Sequence, residues 1–501
     1  MGRGTAAFDS ASLPTVKFPS EILNQRRSWV ILGIALLAWI LWLRGPSFEA
    51  KMWNVDETIH ATIAEVLLDG GVLYRDAIDQ RTPLSYYAVA AAFGLTGSSL
   101  PATRVFIALL IVGAALMLSR TAFRVNGPIT SIGSALVFAA FANHLLTPED
   151  TFAVHTEWFV VFFTTAGAFC FLAGPSGPPG LRRCLAAGGM LGLAFMSKQS
   201  ALLDFAAPLA ALITMIVDRE LTWTQSLQRG GVLLGGFFAA SLLWCGPLIL
   251  AGAGPDLLYY AWTYNVDIYG AEFTFSEKVW SGLPFFGKIA AIYPVLLVTG
   301  LVSGAWLLAR ALQFNPREVA RQRRSGEVYL LTWCITSLGA AMAGGRGFDH
   351  YFIPCLAPFA WVAAMGPAVW FRQTVEKVTL TRFVRGLLLL FIGAVLYSVT
   401  LAPLEARKAA HPSPDPASWV SAWIQEQSTP EDRIFVWGFN PDIYYYADRR
   451  PASRFVYCTF QTGLIPWTNV APEIDTDYAR IDGSMDTLLQ DLESRPPRYI
   501  I

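Results

Sequence analysis

The sequence predicts an α-helical polytopic membrane protein with a small C-terminal α/β domain, on three observations. Hydrophobic residues make up 54% of the 501-residue chain and charged residues only 15%, where a soluble domain carries about 25%. The apolar residues come in uncharged runs such as 29–43, 230–250, 289–309 and 386–401. Such runs approach or reach the roughly 20 residues that a helix needs to cross a bilayer. From about residue 402 the composition changes, and 404–501 is polar and proline-rich with alternating helix and strand signals.

Charge sets the topology. The formal net charge is zero, but basic clusters recur between the apolar runs: Arg26-Arg27, Arg120 with Arg124, Arg182-Arg183, Arg317 to Arg324 and Arg372 to Arg385. Short basic loops stay on the cytoplasmic side, and the intervening loops, which hold most acidic and aromatic residues, then face outward. This parity gives eleven spans, over 29–43, 101–119, 129–146, 158–173, 185–196, 201–217, 230–250, 289–309, 329–342, 351–371 and 386–401. The apolar stretch 84–95 is short and ends in Gly-Ser-Ser. Counted as a crossing it would put Arg120 outside, so it reads as a juxtamembrane helix at the outer face. Residues 1–403 form the membrane module, with an outer loop over 46–100, and 404–501 form an extracytoplasmic domain. That domain is expected to hold a helix over 414–427 and short strands over 433–437 and 454–457. The chain stops at a strand-like Tyr499-Ile500-Ile501, which leaves room for a longer natural protein.

Several classes are excluded or disfavoured. Nothing points to nucleic acid. The six cysteines have neither metal-ligand nor redox spacing, so no disulfide framework is expected. The first apolar run is long for a signal peptide and lacks a small-x-small cleavage site, so it is expected to be retained.

The most informative stretch is Trp53-Asn54-Val55-Asp56-Glu57-Thr58-Ile59-His60. Adjacent carboxylates at a membrane surface are costly unless used or paired. The downstream pattern Ile59, Ile63, Leu67 suggests an amphipathic helix lying on the membrane, whose N-terminal dipole would keep Asp56 ionised. An ionised Asp56 can serve as a general base; equally, Asp56 can be an N-cap and Glu57 a first-turn residue. Arg81, just before Pro83 and Tyr86-Tyr87, suits a lipid phosphate, or anchors the helix to headgroups. Lys198 falls at a hairpin tip, where it suits a phosphate ligand or a snorkelling lysine.

The order of these features resembles the GT-C superfamily of membrane glycosyltransferases, and within it the family of protein O-mannosyltransferases and bacterial lipid A aminoarabinose transferases. An acidic pair heads a surface helix that ends in Leu-Leu-Asp-Gly-Gly at 67–71. A basic residue then stands two positions before Pro83. Glu157 supplies a second acidic site, Gly192-Leu193-Ala194-Phe195 leads to Lys198, and a turn carries Arg346 and His350-Tyr351. The likeness covers most of the chain up to about residue 400. It implies transfer of a hexose or pentose from a polyprenyl-phosphate donor to a lipid, glycan or protein acceptor at the outer face of a membrane, expected to be the bacterial inner membrane. It also implies Asp56 as base, Glu57 shaping the site, Glu157 orienting acceptor or sugar, and Arg81, Lys198, Arg346 and His350 around the donor phosphate. Tyr86 and Tyr87 would then touch substrate. No cofactor is implied. With Gln80 where relatives carry an acidic residue, and no His/Asp cluster visible in the sequence, no metal is expected. A transporter would instead place charges or broken helices near mid-membrane and show a repeat. A non-catalytic polysaccharide-export partner would leave the carboxylates without a reason to cluster.

Overall fold

The computed structural model describes residues 26–49, 52–174, 177–312, 318–374 and 416–501, with 393, 400, 401 and 404. It is predominantly helical. Leu100–Asn126, Gln199–Val217, Trp223–Leu250 and Pro294–Ala311 are long and apolar enough to cross a membrane. Shorter apolar helices include Arg27–Leu43, Leu84–Thr96 and Thr156–Leu172.

Local chemistry explains the boundaries. Leu100–Asn126 starts where the Ser99 side chain accepts from Ala102 N, and ends at Gly127 with φ 95. Pro128 then opens the helix Pro128–His144. The predicted span 230–250 begins earlier, at Trp223, because Thr222 and Gln225 form a capping box. The predicted span 289–309 is two helices, Leu283–Ile292 and Pro294–Ala311, separated at Tyr293 with φ -132 and ψ 55. Pro294 disfavours helical backbone in the residue before it. The eleventh predicted span, 386–401, lies outside the described residues except at 393, 400 and 401.

The C-terminal residues form a parallel sheet in the order β2-β1-β3, with β1 at Arg433–Phe435, β2 at Arg450–Pro451 and β3 at Tyr499–Ile500. The helices Pro416–Gln427 and Asp442–Ala447 bury Ile424, Tyr444 and Ala447 with Ile434 of the sheet. The expected strand over 454–457 is not a ladder strand. Its backbone turns to the outer loop, where Ile78 N donates to Arg454 O at 2.9 Å and Ile78 bridges Phe455. One apolar cluster therefore joins Ile59, Ile63, Leu73 and Tyr86 of the outer loop with Phe455, Tyr457, Phe460 and Leu488. Each such fully buried side chain contributes about 1.5–3 kcal/mol, so the C-terminal residues and the outer loop form one packed unit.

That packing corrects the expected surface helix. Val55–Leu68 forms, but its first turns are buried on every face, from Glu57 to Ala64. Membrane helices cover one side. On another, Thr62 Oγ1 donates to Pro441 O at 3.3 Å.

Candidate functional site

The site is built on the start of Val55–Leu68. Asn54 is the N-cap, and its side chain accepts from Asp56 N at 3.0 Å. Asp56 is therefore not the cap, and its carboxylate faces a cavity of about 380 Å³. Asp56, Arg81, Asp150 and His350 line this cavity with Tyr264, Tyr269, Phe348 and Tyr351. Phe439, Tyr457, Ile465 and Trp467 contribute a C-terminal wall.

Arg81 is the hinge of the charge pattern. One guanidinium nitrogen lies 2.8 Å from Asp56 Oδ2 and the other 2.8 Å from Asp79 Oδ2. Asp79 is buried and also accepts from Gln80 N at 2.6 Å, from Tyr457 OH at 2.6 Å and from the Tyr86 hydroxyl. The carbonyl of Gln80 is held in turn by Asn265 Nδ2 at 2.7 Å and Gln199 Nε2 at 2.8 Å. Asn265 lies in a segment with two π-helical turns, Tyr259–Thr263 and Asn265–Tyr269, a feature common at functional sites. Arg81 is thus aimed by groups from four separate stretches of chain.

His155 and His350 stack with ring centroids 4.3 Å apart and planes 2° from parallel. His350 Nδ1 lies 3.0 Å from Asp150 Oδ1, and His155 approaches Asp56 at 3.6 Å and Asp150 at 3.4 Å. Burial alone would raise the Asp56 carboxyl, but the charge of Arg81 and the two imidazoles outweighs it and holds Asp56 well below its usual range. Asp150 is held down the same way: burial opposes, and His155 and His350 prevail. Burial would lower His155, yet the facing Asp150 and Asp56 push it up to about 10.

This arrangement overturns the expectation that no His/Asp cluster exists. Ligand atoms of Asp56, His155 and His350 all lie within 4.8 Å of one another. Both ring nitrogens of His155 are buried without a hydrogen bond among the described residues. A carboxylate with two imidazoles is a donor set that suits a divalent transition metal, so these three residues could hold one.

The other expected residues spread over several layers. Glu57 turns away from the cavity: Arg104 grips it through Nη2 at 2.7 Å and Nε at 3.1 Å, and Trp53 N and Val154 N donate to it. Glu157 pairs with Lys198, whose ammonium lies 3.6 Å from the Tyr351 ring centroid. Both therefore sit one layer behind the cavity wall. Arg346 donates to Tyr269 O at 2.9 Å and to Glu272 at 3.1 Å, while its Nε and Nη1 are buried without partners among the described residues. Tyr86 stacks on His60 at 4.8 Å and Tyr87 packs on Trp244 at 5.8 Å; neither lines the cavity. The sequence reading missed Asp79, Asp150, His155 and the C-terminal wall. Asp150 and His155 stood in an outer loop already singled out for Glu157, so their proximity to it was the available signal. Nothing local marks the C-terminal wall.

No family model matches the chain. An undecaprenyl phosphate-α-4-amino-4-deoxy-L-arabinose arabinosyl transferase of Pseudomonas aeruginosa is 26% identical over 423 residues, covering 78% of this chain and 68% of the relative. A multidrug transporter, MdfA, of Shigella boydii is 30% identical, but over only 24% of this chain. The crystal structure of ArnT from Cupriavidus metallidurans bound to undecaprenyl phosphate shares the fold, with TM-score 0.55, 15% identity, 85% of this chain and 86% of that one covered. The Archaeoglobus fulgidus oligosaccharyltransferase tethered to an acceptor peptide does so too, with TM-score 0.55 and 13% identity over 85% of this chain and 64% of that one. The chain therefore spans about two thirds of the length of the Pseudomonas relative and of the oligosaccharyltransferase. Sequence similarity to the arabinosyl transferase, and a fold shared with ArnT and the oligosaccharyltransferase, bear out the resemblance to the GT-C-type membrane glycosyltransferases.

Proposed function

We propose that the chain transfers a sugar from a polyprenyl-phosphate donor to an acceptor hydroxyl in the 380 Å³ cavity, with Asp56 as the base. The observation that carries this reading is the Arg81 fork, shared between Asp56 and Asp79 at 2.8 Å each. In the transfer, Asp56 takes the proton of the attacking hydroxyl and the hydroxyl oxygen bonds to the anomeric carbon. The bond from that carbon to the phosphate oxygen breaks, its electron pair staying on the phosphate. Charge develops on the leaving phosphate, where a preoriented guanidinium stabilises it. His350 lines the same cavity, while Lys198 and Arg346, paired with Glu157 and Glu272, support its Tyr351 and Tyr269 walls from behind.

The pairing also explains how the base is turned on. A carboxylate held well below its usual range by Arg81 is a weak base. A phosphate that shares the guanidinium draws that charge away and raises the proton affinity of Asp56. Donor arrival thus strengthens the base, which suppresses proton abstraction before the donor is bound. Asp79, tied to two tyrosines, keeps Arg81 in reach of both. The cavity opens on the extracytoplasmic face of a bacterial inner membrane, and the acceptor enters under the C-terminal wall.

The test is transfer by the Asp56→Asn variant in nanodiscs with a polyprenyl-phosphate sugar. The amide keeps the shape and cannot take a proton. Transfer falls by about 10²–10⁴-fold, while donor binding persists; activity within a few-fold of the parent would return Asp56 to a structural role. A transporter would instead move solute across vesicles without breaking a glycosidic bond.

A further inference from the structure

Trp467 stands out among the cavity residues because its backbone is strained, its side chain is exposed, and its loop is nonetheless tightly held. Its φ is +61, the left-handed region that a bulky residue adopts only when its surroundings enforce it. Trp467 is 70% exposed although it borders the cavity. The enforcement comes from buried Asn469. Its Oδ1 accepts from Ile465 N at 2.6 Å, and its Nδ2 donates to Gly463 O at 2.9 Å and to Tyr478 OH at 3.2 Å. Gly463, at φ +68, lets the loop close on Thr476, whose carbonyl would lie 1.9 Å from a Cβ placed there. Phe439 meets the Trp467 ring edge-on at 6.0 Å and 89°, which fixes the ring plane.

We infer that Trp467 is a stacking platform for a saccharide ring of the acceptor. A pyranose presents a face of C–H groups that meets the electron-rich face of an indole favourably. The charged end of the cavity, with Arg81 and Asp56, suits the phosphate and the reacting atoms. The aromatic end, supplied by the C-terminal residues, suits an uncharged ring held beside them. An aromatic anchor in the membrane interface needs neither a strained backbone nor a place at the cavity mouth. The inference rests on the glycosyltransferase reading for its choice of ligand, and it makes Trp467 a determinant of which acceptor is used.

The test uses saturation-transfer NMR on the full chain in nanodiscs, with methyl β-D-glucopyranoside and methyl β-L-arabinopyranoside as probes. Trp467→Gly suits the left-handed backbone, so its thermal midpoint is not lowered and its donor affinity is unchanged. Saturation transfer to at least one glycoside falls by about fivefold in Trp467→Gly, the scale of one lost ring contact, and is retained in Trp467→Tyr. Equal transfer in the parent and the glycine variant, or none to either glycoside in the parent, overturns the platform. Sugar transfer from the polyprenyl-phosphate donor is measured separately. Its failure would sink the catalytic reading, whereas failure at Trp467 alone leaves that reading standing.

Discussion

At the scale of single residues, two carboxylates adjacent in sequence have opposite duties. Asp56 faces the cavity beside Arg81, while Glu57 is fully buried against Arg104 and braces Trp53 and Val154 from below. The difference follows from helix geometry, which points neighbouring side chains about 100° apart. Replacing Arg81 by Gln is expected to weaken binding of a polyprenyl-phosphate sugar by about 1.5–3 kcal/mol, the worth of a charge-assisted contact. Donor titration of the purified variant, with thermal stability followed in parallel, checks this; unchanged affinity would remove Arg81 from the phosphate site. Glu65 offers a pH test away from the cavity. Burial pushes its carboxyl up to about 7, with a Ser98 hydrogen bond opposing and the charges of Asp448 and Asp69 adding to the rise. The folded protein therefore binds this proton more tightly than the unfolded chain, so stability falls as pH rises from the ordinary value of 4.5 to about 7. Glu65→Gln is expected to flatten that fall and to raise the melting temperature at pH 8 by a few degrees. A pH profile identical to the parent's would show that Glu65 is not the group responsible.

Among the elements, one helix crossing has a specific and testable cause. Gly188 and Gly192 stand one turn apart on Leu181–Ser197 and face Trp223–Leu250. A Cβ on Gly188 would lie 1.9 Å from Leu233 O, one on Gly192 2.5 Å from Phe237 O, and one on Gly236 2.1 Å from Leu185 O. In lipid the apolar effect does not drive helices together, so close backbone approach through small residues does much of that work. Gly188→Leu is expected to separate these helices and lower the detergent-solubilised melting temperature by several degrees, whereas Gly235→Leu, which meets open space, leaves it nearly unchanged. Equal effects at both positions would argue against the close crossing. The crossing also carries the site, because Lys198 caps the first of these helices and Gln199 follows it to hold Gln80. The glycines were present in the sequence, but their partner helix was not identifiable from it. The capping box at Thr222 was readable and marks the true start of the longer helix.

For the whole molecule, the remaining test is orientation. A periplasmic-type reporter fused after Pro403 is expected to be active outside the cytoplasm, and one fused at Arg323 active inside. The reverse pattern would place the cavity on the wrong face for a lipid-linked donor delivered outside. The sequence by itself determined the membrane character, most of the apolar helices and the candidacy of Asp56 and Arg81, while that of His350 came from the family resemblance. Those properties live in local runs: uninterrupted apolar length, basic loops, and ionisable residues where a bilayer makes them costly. Only the tertiary structure decided that Glu57 is a brace, that His155 completes a cluster with Asp56 and His350 beside Asp150, and that Phe439, Tyr457 and Trp467 wall the cavity. Hydroxyl, imidazole and carboxylate groups carry no signal for partners hundreds of positions away. Tyr457 meets Asp79 across 378 residues because the C-terminal fold packs on the outer loop, and no local period in the chain encodes that docking.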